Sequence, residues 1–362
     1  MCWHLQAVAL PTVTLEPARH TDAVAPRNVR AVAIWLLWCC AMIFGMVVIG
    51  AITRLTLSGL SITEWQPVTG ILPPLSLADW AAEFEKYRQI PQYRLLNSGM
   101  SLADFQTIYW WEYVHRLWGR LIGIVYAVPF LWFWLRGRLP RRLLMPLGGI
   151  LLLGAAQGAL GWYMVESGLA DRTDVSQHRL VAHLALALAI YGLTLWIALG
   201  LLHTPSPAQR ASWRCSAEAI IALVALTIVA GGFVAGLHAG LIYNTFPLMD
   251  GRFVPLDYAQ LQPFLRNWFE NVAAVQFDHR VLAMTTAGAV LALWLAGQRT
   301  ALGRPARLAL HALFAAAALQ FALGVSTLLL VVPIPLAAAH QAGAVLLLTA
   351  AIVFRHALRL AA

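Results

Sequence analysis

The stretch Trp110–Gly119, WWEYVHRLWG, heads a long apolar run and places Glu112, His115 and Arg116 where a membrane span should carry no ionisable group. Charge inside a bilayer is costly, and by default it marks a functional site. The His-Arg pair returns as His279-Arg280 in QFDHRVLAM, 164 residues later. Two further histidines, His183 and His340, stand near the heads of two other apolar runs. Working outward from these four residues, the sequence predicts an all-α, polytopic membrane protein built twice over.

Composition agrees. Of 362 residues, 60% are hydrophobic and 11% charged, and the mean hydropathy is +0.70. Such a chain is membrane-embedded rather than soluble. The net charge of +9 does not indicate nucleic acid, because the basic residues form no patch with interleaved aromatics and fall in short loops between apolar runs. Cys2, Cys39, Cys40 and Cys215 show no CxxC spacing, which argues against a zinc or disulfide framework.

Apolar windows occur at about 31–52, 109–134, 143–164, 177–201, 217–237, 273–297, 307–331 and 335–356. Each is long enough to span, since ~20 residues cross the hydrocarbon. Residues 1–30 read as a cytoplasmic tail rather than a cleaved signal. Fourteen arginines fall in the tail, in the loops 136–142, 203–214 and 298–307, and at the C-terminus. The other side holds seven basic residues in longer, acid-rich loops. The positive-inside rule therefore places both termini in the cytoplasm of a bacterial inner membrane, with a mitochondrial inner membrane the lesser alternative. In that orientation His115, His183, His279 and His340 all lie within about two turns of the outer ends of their helices, ~5–10 Å deep.

The repeat extends further. Gln157–Gly161, QGALG, matches Gln320–Gly324, QFALG, and Ser58–Leu60 corresponds to Ala239–Leu241. The expected organisation is a tail (1–30), one four-helix bundle (31–202), a linker (203–216) and a second, pseudo-symmetric four-helix bundle (217–362). Ala78–Gln89 in the first outer loop reads as a short amphipathic helix on the membrane surface, or an ordinary solvated one.

Neutral imidazole is a common axial ligand of haem iron. His115 with His183 would clamp one macrocycle and His279 with His340 a second. Zinc is the competing metal, though a closed tetrahedral site gathers its ligands and here they fall into two facing pairs. For a single histidine, the simpler reading is a packing residue. Arg116, Arg120, Arg179 and Arg280 sit on the histidine-bearing helices, where a guanidinium fork suits the propionates of a haem. Snorkelling to the interface is their alternative. Glu112 lies at i−3 from His115 on the same face, whereas Gln276 takes that place beside His279. This difference points to reactivity at the first pair and electron transfer at the second, although Glu112 could be only an interfacial carboxylate bonded to an arginine. His178 reads at most as a propionate or water partner.

Taken together, EYVHRLWGR (112–120), GWYMVESGL (161–169), SQHRLVAHLALA (176–187), QFDHRVLA (276–283) and AAAHQAGA (337–344) resemble the heme A synthase family over nearly the whole chain from residue 30. The likeness is to its proteobacterial and mitochondrial branch, since the first outer loop lacks the cysteine pair of another branch. The resemblance implies oxidation of the C8 methyl of heme O to the formyl group of heme A by successive hydroxylations. It implies that His115 and His183 bracket the substrate heme O beside a catalytic Glu112, and that His279 and His340 hold heme B as resident cofactor. The metal ligands would be these four histidines, with Arg116, Arg179 and Arg280 assisting cofactor binding. Implied partners are heme O synthase, cytochrome oxidase assembly factors, an unidentified electron donor and the lipid bilayer, with room for a homo-oligomer. The rival readings are a dihaem b-type cytochrome exchanging electrons with quinone, and a transporter with inverted repeats.

Overall fold

The protein is described here from a computed structural model, which covers residues 26–66, 69–203 and 211–360. Residues 1–25 of the expected tail and 204–210 of the expected linker lie outside the described residues. The helices, in chain order, are α1 (Pro26–Leu55), α2 (Leu77–Arg88), α3 (Pro91–Leu95), α4 (Leu102–Leu135), α5 (Arg141–Leu169), α6 (Gln177–Leu202), α7 (Ala211–Gly236), α8 (Asn267–Glu270), α9 (Val272–Gln298), α10 (Arg304–Leu329) and α11 (Ile334–Ala357). Eight of them, α1, α4, α5, α6, α7, α9, α10 and α11, are long and apolar enough to cross a membrane. Among the described residues there is no strand, only an isolated bridge between Met249 and Arg252. The protein is therefore an all-α, multi-pass membrane protein, as the hydropathy pattern predicts.

The helices overrun the apolar windows where local chemistry caps them. α4 starts at Leu102 rather than near 109 because Ser101 and Asp104 form a capping box, with the Asp104 amide donating to Ser101 Oγ at 3.2 Å. A side-chain acceptor at this position satisfies an amide that the helix itself cannot. At the head of α9, Asn271 accepts from the amides of Ala273 (2.9 Å) and Ala274 (3.2 Å). Both caps set the start of a helix that carries site residues, Glu112 and His115 in the third and fourth turns of α4 and Gln276 and His279 in the second turn of α9, so they fix the register of each.

Neighbouring helices in the chain also pack in space. α1 lies against α4 and α6, and α5 against α4 and α6; α7 lies against α9 and α11, and α10 against α9 and α11. The two sets meet along α1–α11, α6–α7 and α6–α11. At the α6–α7 seam a Cβ on Gly232 would come 2.9 Å from Val181, and one on Gly236 would come 2.7 Å from Gln177, so both glycines permit close helix approach. The core holds Leu36, Leu147, Leu313 and Phe354, all essentially inaccessible. Side chains such as Met145, Leu152 and Leu135 are strongly exposed, as lipid-facing positions must be where the bilayer replaces water.

The segment read as a surface helix is α2, and its apolar face does not simply lie on a membrane. Trp80 meets Tyr109 edge-on at 4.9 Å, Phe84 stacks on Phe105 at 4.9 Å, and Tyr87 is fully buried. α2 thereby braces the first two turns of α4.

Candidate functional site

Each of the four histidines is half-buried, and each presses its Cε1 edge against a glycine of the adjoining helix. His115 on α4 faces Gly50 of α1, and His183 on α6 faces Gly161 of α5. In the second half, His279 on α9 faces Gly231 of α7 and His340 on α11 faces Gly324 of α10. In the second half two of these rings come close together. His279 and His340 have centroids 6.5 Å apart with planes at 82°.

The geometry of the second pair fits an axially ligated metal. Two imidazoles sharing one metal at ~2 Å on each side hold their centroids ~6 Å apart. His279 Nδ1–H donates to the Thr227 carbonyl at 3.1 Å, which leaves Nε2 as the ligating nitrogen. Gln320 Nε2 lies 3.1 Å from His340 Nδ1 and donates to the His340 carbonyl at 2.9 Å. In the first pair Gln157 Nε2 donates to the His183 carbonyl at 3.0 Å and lies 3.3 Å from His183 Nε2. The buried Nδ1 atoms of His115 and His183 have no hydrogen-bond partner among the described residues. Likewise, no three His, Cys, Asp or Glu side chains among the described residues gather as a closed zinc site requires.

Beside each pair, a helix residue and its following arginine hold the loop that leaves the preceding span. Glu112 is 3% exposed. Its Oε1 accepts from Arg116 Nε (3.0 Å) and Nη2 (2.6 Å), and its Oε2 from Ser61 Oγ and the Ile62 amide, both at 2.8 Å. Arg116 also donates to the carbonyls of Ile62 (2.6 Å) and Glu64 (2.9 Å). At the equivalent place Gln276 Nε2 donates to the carbonyls of Ala239 (2.7 Å) and Ile242 (2.6 Å). Arg280 donates to Gln276 Oε1 (3.0 Å), to Thr245 O (2.7 Å) and to Tyr243 O. The carboxylate thus meets a loop N–H where the amide meets loop carbonyls.

These contacts refine the arginine reading. Arg116, Arg280 and Arg179 all have protein partners, the last donating to Tyr163 O at 2.6 Å with its guanidinium 3.6 Å from the Tyr163 ring centroid. Arg120 donates to Gln66 O at 2.9 Å. Arg116 and Arg120 also line a cleft with Tyr109, Tyr113, Glu64 and Asp79. His178 stands apart from the pairs, between Phe233 (5.7 Å) and Phe269 (6.2 Å) and 3.9 Å from Glu270. Arg266, bonded to Glu270 at 3.0 Å through Nε, and to a lesser degree His178, hold that carboxyl below the usual glutamate range. Reasoning from sequence did not single out Gly50, Gly161, Gly231, Gly324, Thr227, Gln157 or Gln320 as site residues. The Gln-x-x-x-Gly spacing shared by 157–161 and 320–324 was the available signal.

Fold and site together define a class: an all-α, eight-span membrane protein carrying two pairs of glycine-seated histidines inside its helices. A family described as cytochrome oxidase assembly protein, COX15-CtaA, matches residues 33–352. The heme A synthase of Nitrosospira multiformis is 53% identical over 337 residues, covering 91% of this chain and 94% of its own. That of Rhodospirillum centenum is 54% identical over 343 residues (93% and 91%), and that of Granulibacter bethesdensis 49% over 362 (98% and 95%). The chain belongs to the COX15-CtaA cytochrome oxidase assembly family.

Proposed function

We propose that the protein is a heme A synthase, an oxidoreductase that converts the C8 methyl of heme O to the formyl group of heme A by successive hydroxylations. The observation that carries this reading is the inequivalence of two otherwise matched histidine pairs. In the second pair the Thr227 carbonyl takes the Nδ1–H of His279, the kind of outer contact that fixes a ring's tautomer and orientation for a permanently held group. In the first pair the His115 Nδ1 has no such partner among the described residues, and a carboxylate, Glu112, stands three residues before it. A site that must release its occupant is better served by the looser arrangement.

On this reading 31–202 forms the substrate bundle and 217–362 the cofactor bundle, with 1–30 and 203–216 as cytoplasmic tail and linker. His279 and His340 would hold heme B, which would supply one-electron transfer chemistry to the first pocket. His115 and His183 bracket heme O as substrate. Arg116, Arg179 and Arg280 act on the propionate edges as fixed positive charge while their remaining N–H groups hold loop carbonyls. Glu112 ties the first outer loop over the first pocket through the Ile62 amide, which limits the entry of water. Its position also suits it to take or give a proton when that loop opens. The protein lies in a bacterial inner membrane with its termini in the cytoplasm and both pockets toward the periplasm. It receives heme O from heme O synthase and passes heme A to cytochrome oxidase assembly.

The rival dihaem electron carrier accounts for the histidines but not for the unequal pairs. Pigment extracted from the purified protein separates the two. Heme B together with heme O or heme A supports the synthase, and heme B alone supports the carrier.

A further inference from the structure

We propose that Gly50, Gly161, Gly231 and Gly324 are positioning residues: each, by lacking a Cβ, provides the seat that fixes the ring plane of the histidine on the adjoining helix. The inference rests on the reading of the histidines as haem ligands. A Cβ at these positions would come 2.9 Å (Gly50), 3.0 Å (Gly161), 2.9 Å (Gly231) and 2.8 Å (Gly324) from the Cε1 of His115, His183, His279 and His340. Real Cβ atoms essentially never approach as closely as at Gly50, Gly231 and Gly324, the Gly161 contact is tighter than nine in ten, and a ring in a packed helical interface cannot yield without turning or tilting.

The simpler explanation, that glycines in spans serve helix packing, is answered within one dipeptide. Gly232 meets the Val181 and Leu184 side chains of a neighbouring span, whereas the three atoms nearest a Cβ on Gly231 all belong to the His279 ring. Other span glycines, such as Gly158 and Gly288, have open space where a Cβ would stand. The seats recur with the repeat, Gly50 with Gly231 and Gly161 with Gly324. Gly231 also lies one turn after Thr227, so the bare backbone lets His279 Nδ1 reach the Thr227 carbonyl. Two seats on different helices, α7 and α10, hold the His279 and His340 planes 82° apart. Near-perpendicular axial imidazoles give low-spin ferric haem a strongly anisotropic electron paramagnetic resonance signal, so the seats have a direct spectroscopic reading.

The test uses the full-length protein in detergent with its haem bound. Gly231→Ala and Gly324→Ala should each move the largest g value away from that of the wild type and admit carbon monoxide to the ferrous haem, which two firm imidazoles exclude. Gly288→Ala should leave both unchanged. Wild-type spectra in both seat variants, or the same change in Gly288→Ala, would overturn the proposal. Should a seat variant fail to accumulate, the His279→Gly protein supplied with free imidazole gives a second reading. There, adding Gly231→Ala should weaken imidazole binding about tenfold, equivalent to ~1.4 kcal/mol, in the range of modest overpacking. Unchanged imidazole affinity contradicts the seat. A wild-type protein with no bis-imidazole signal would instead defeat the ligand assignment and is read separately.

Discussion

Replacing Glu112 with alanine should release the first outer loop before it affects anything else. The carboxylate is buried, with 4% side-chain exposure against 16% for Arg116, and it accepts four hydrogen bonds. Removing it leaves a largely buried guanidinium without its counter-charge and the Ile62 amide without an acceptor. Breaking a buried pair from one side costs ~3–5 kcal/mol. At ~1.4 kcal/mol per tenfold, opening of the loop around Ile62 becomes roughly a hundred- to several-thousand-fold more frequent. Hydrogen–deuterium exchange of the peptide covering 58–66 should accelerate accordingly, while the corresponding peptide at 239–247 stays at its wild-type rate. Glu112→Gln should fall between, since its Oε1 still serves Arg116 but its amide presents N–H to the Ile62 N–H. Haem should remain bound in both variants while heme A production falls. Unaltered exchange at 58–66 in Glu112→Ala would refute the loop-holding role, and a normal heme A yield would remove Glu112 from the chemistry.

Four further outcomes are expected. His279→Leu or His340→Leu should deplete heme B as measured by pyridine haemochrome, while His115→Leu should leave that pool intact. Gln276→Glu places a carboxylate against the Ala239 and Ile242 carbonyls and should loosen heme B, seen as faster loss of haem to apomyoglobin. Glu218→Ala strands the buried Arg355, which it meets at 2.7 Å, and should lower stability by ~1–3 kcal/mol, between the limits for exposed and buried pairs, read as a reduced Tm. At the head of α2, the Ser76 hydroxyl first, then the Ser76 and Leu75 amides, hold the Asp79 carboxyl below the ordinary aspartate range. A lowered folded pKa gives a contribution that is complete above the unfolded value of ~3.9 and is lost as pH falls through the folded one. Pepsin should therefore cut near Ser76 only below about that pH, and Asp79→Asn should be cut at higher pH as well.

The spans and the four histidines were legible because hydropathy and the cost of buried charge are written in residue identity. The start of α4 was not read from the apolar window near 109, although the Ser101–Asp104 spacing that sets it is a recognisable capping signal. The partners of Glu112 were not, because Ile62 contributes its amide and backbone groups carry no residue signature. For the same reason the arginines suggested propionates, whereas the structure gives Arg116, Arg179 and Arg280 loop or helix carbonyls. The four seats were hidden differently. Glycine is frequent in membrane helices, and only the ring at 2.8–3.0 Å distinguishes Gly231 or Gly324 from a neighbour that merely packs. The Glu112–Gln276 difference was visible as a change of charge. Its physical origin, a loop N–H at one site and loop carbonyls at the other, needed coordinates.

The most direct test is chemical. The chain is expressed together with heme O synthase in a bacterial host that makes no heme A, and the extracted haems are separated by chromatography and weighed. A pigment with the mass of heme A, present with the wild-type chain and lost with His115→Leu, is the outcome required by two unequal pockets of which one is reactive. Heme O recovered unchanged beside heme B, from protein that carries its full complement of haem, would contradict it.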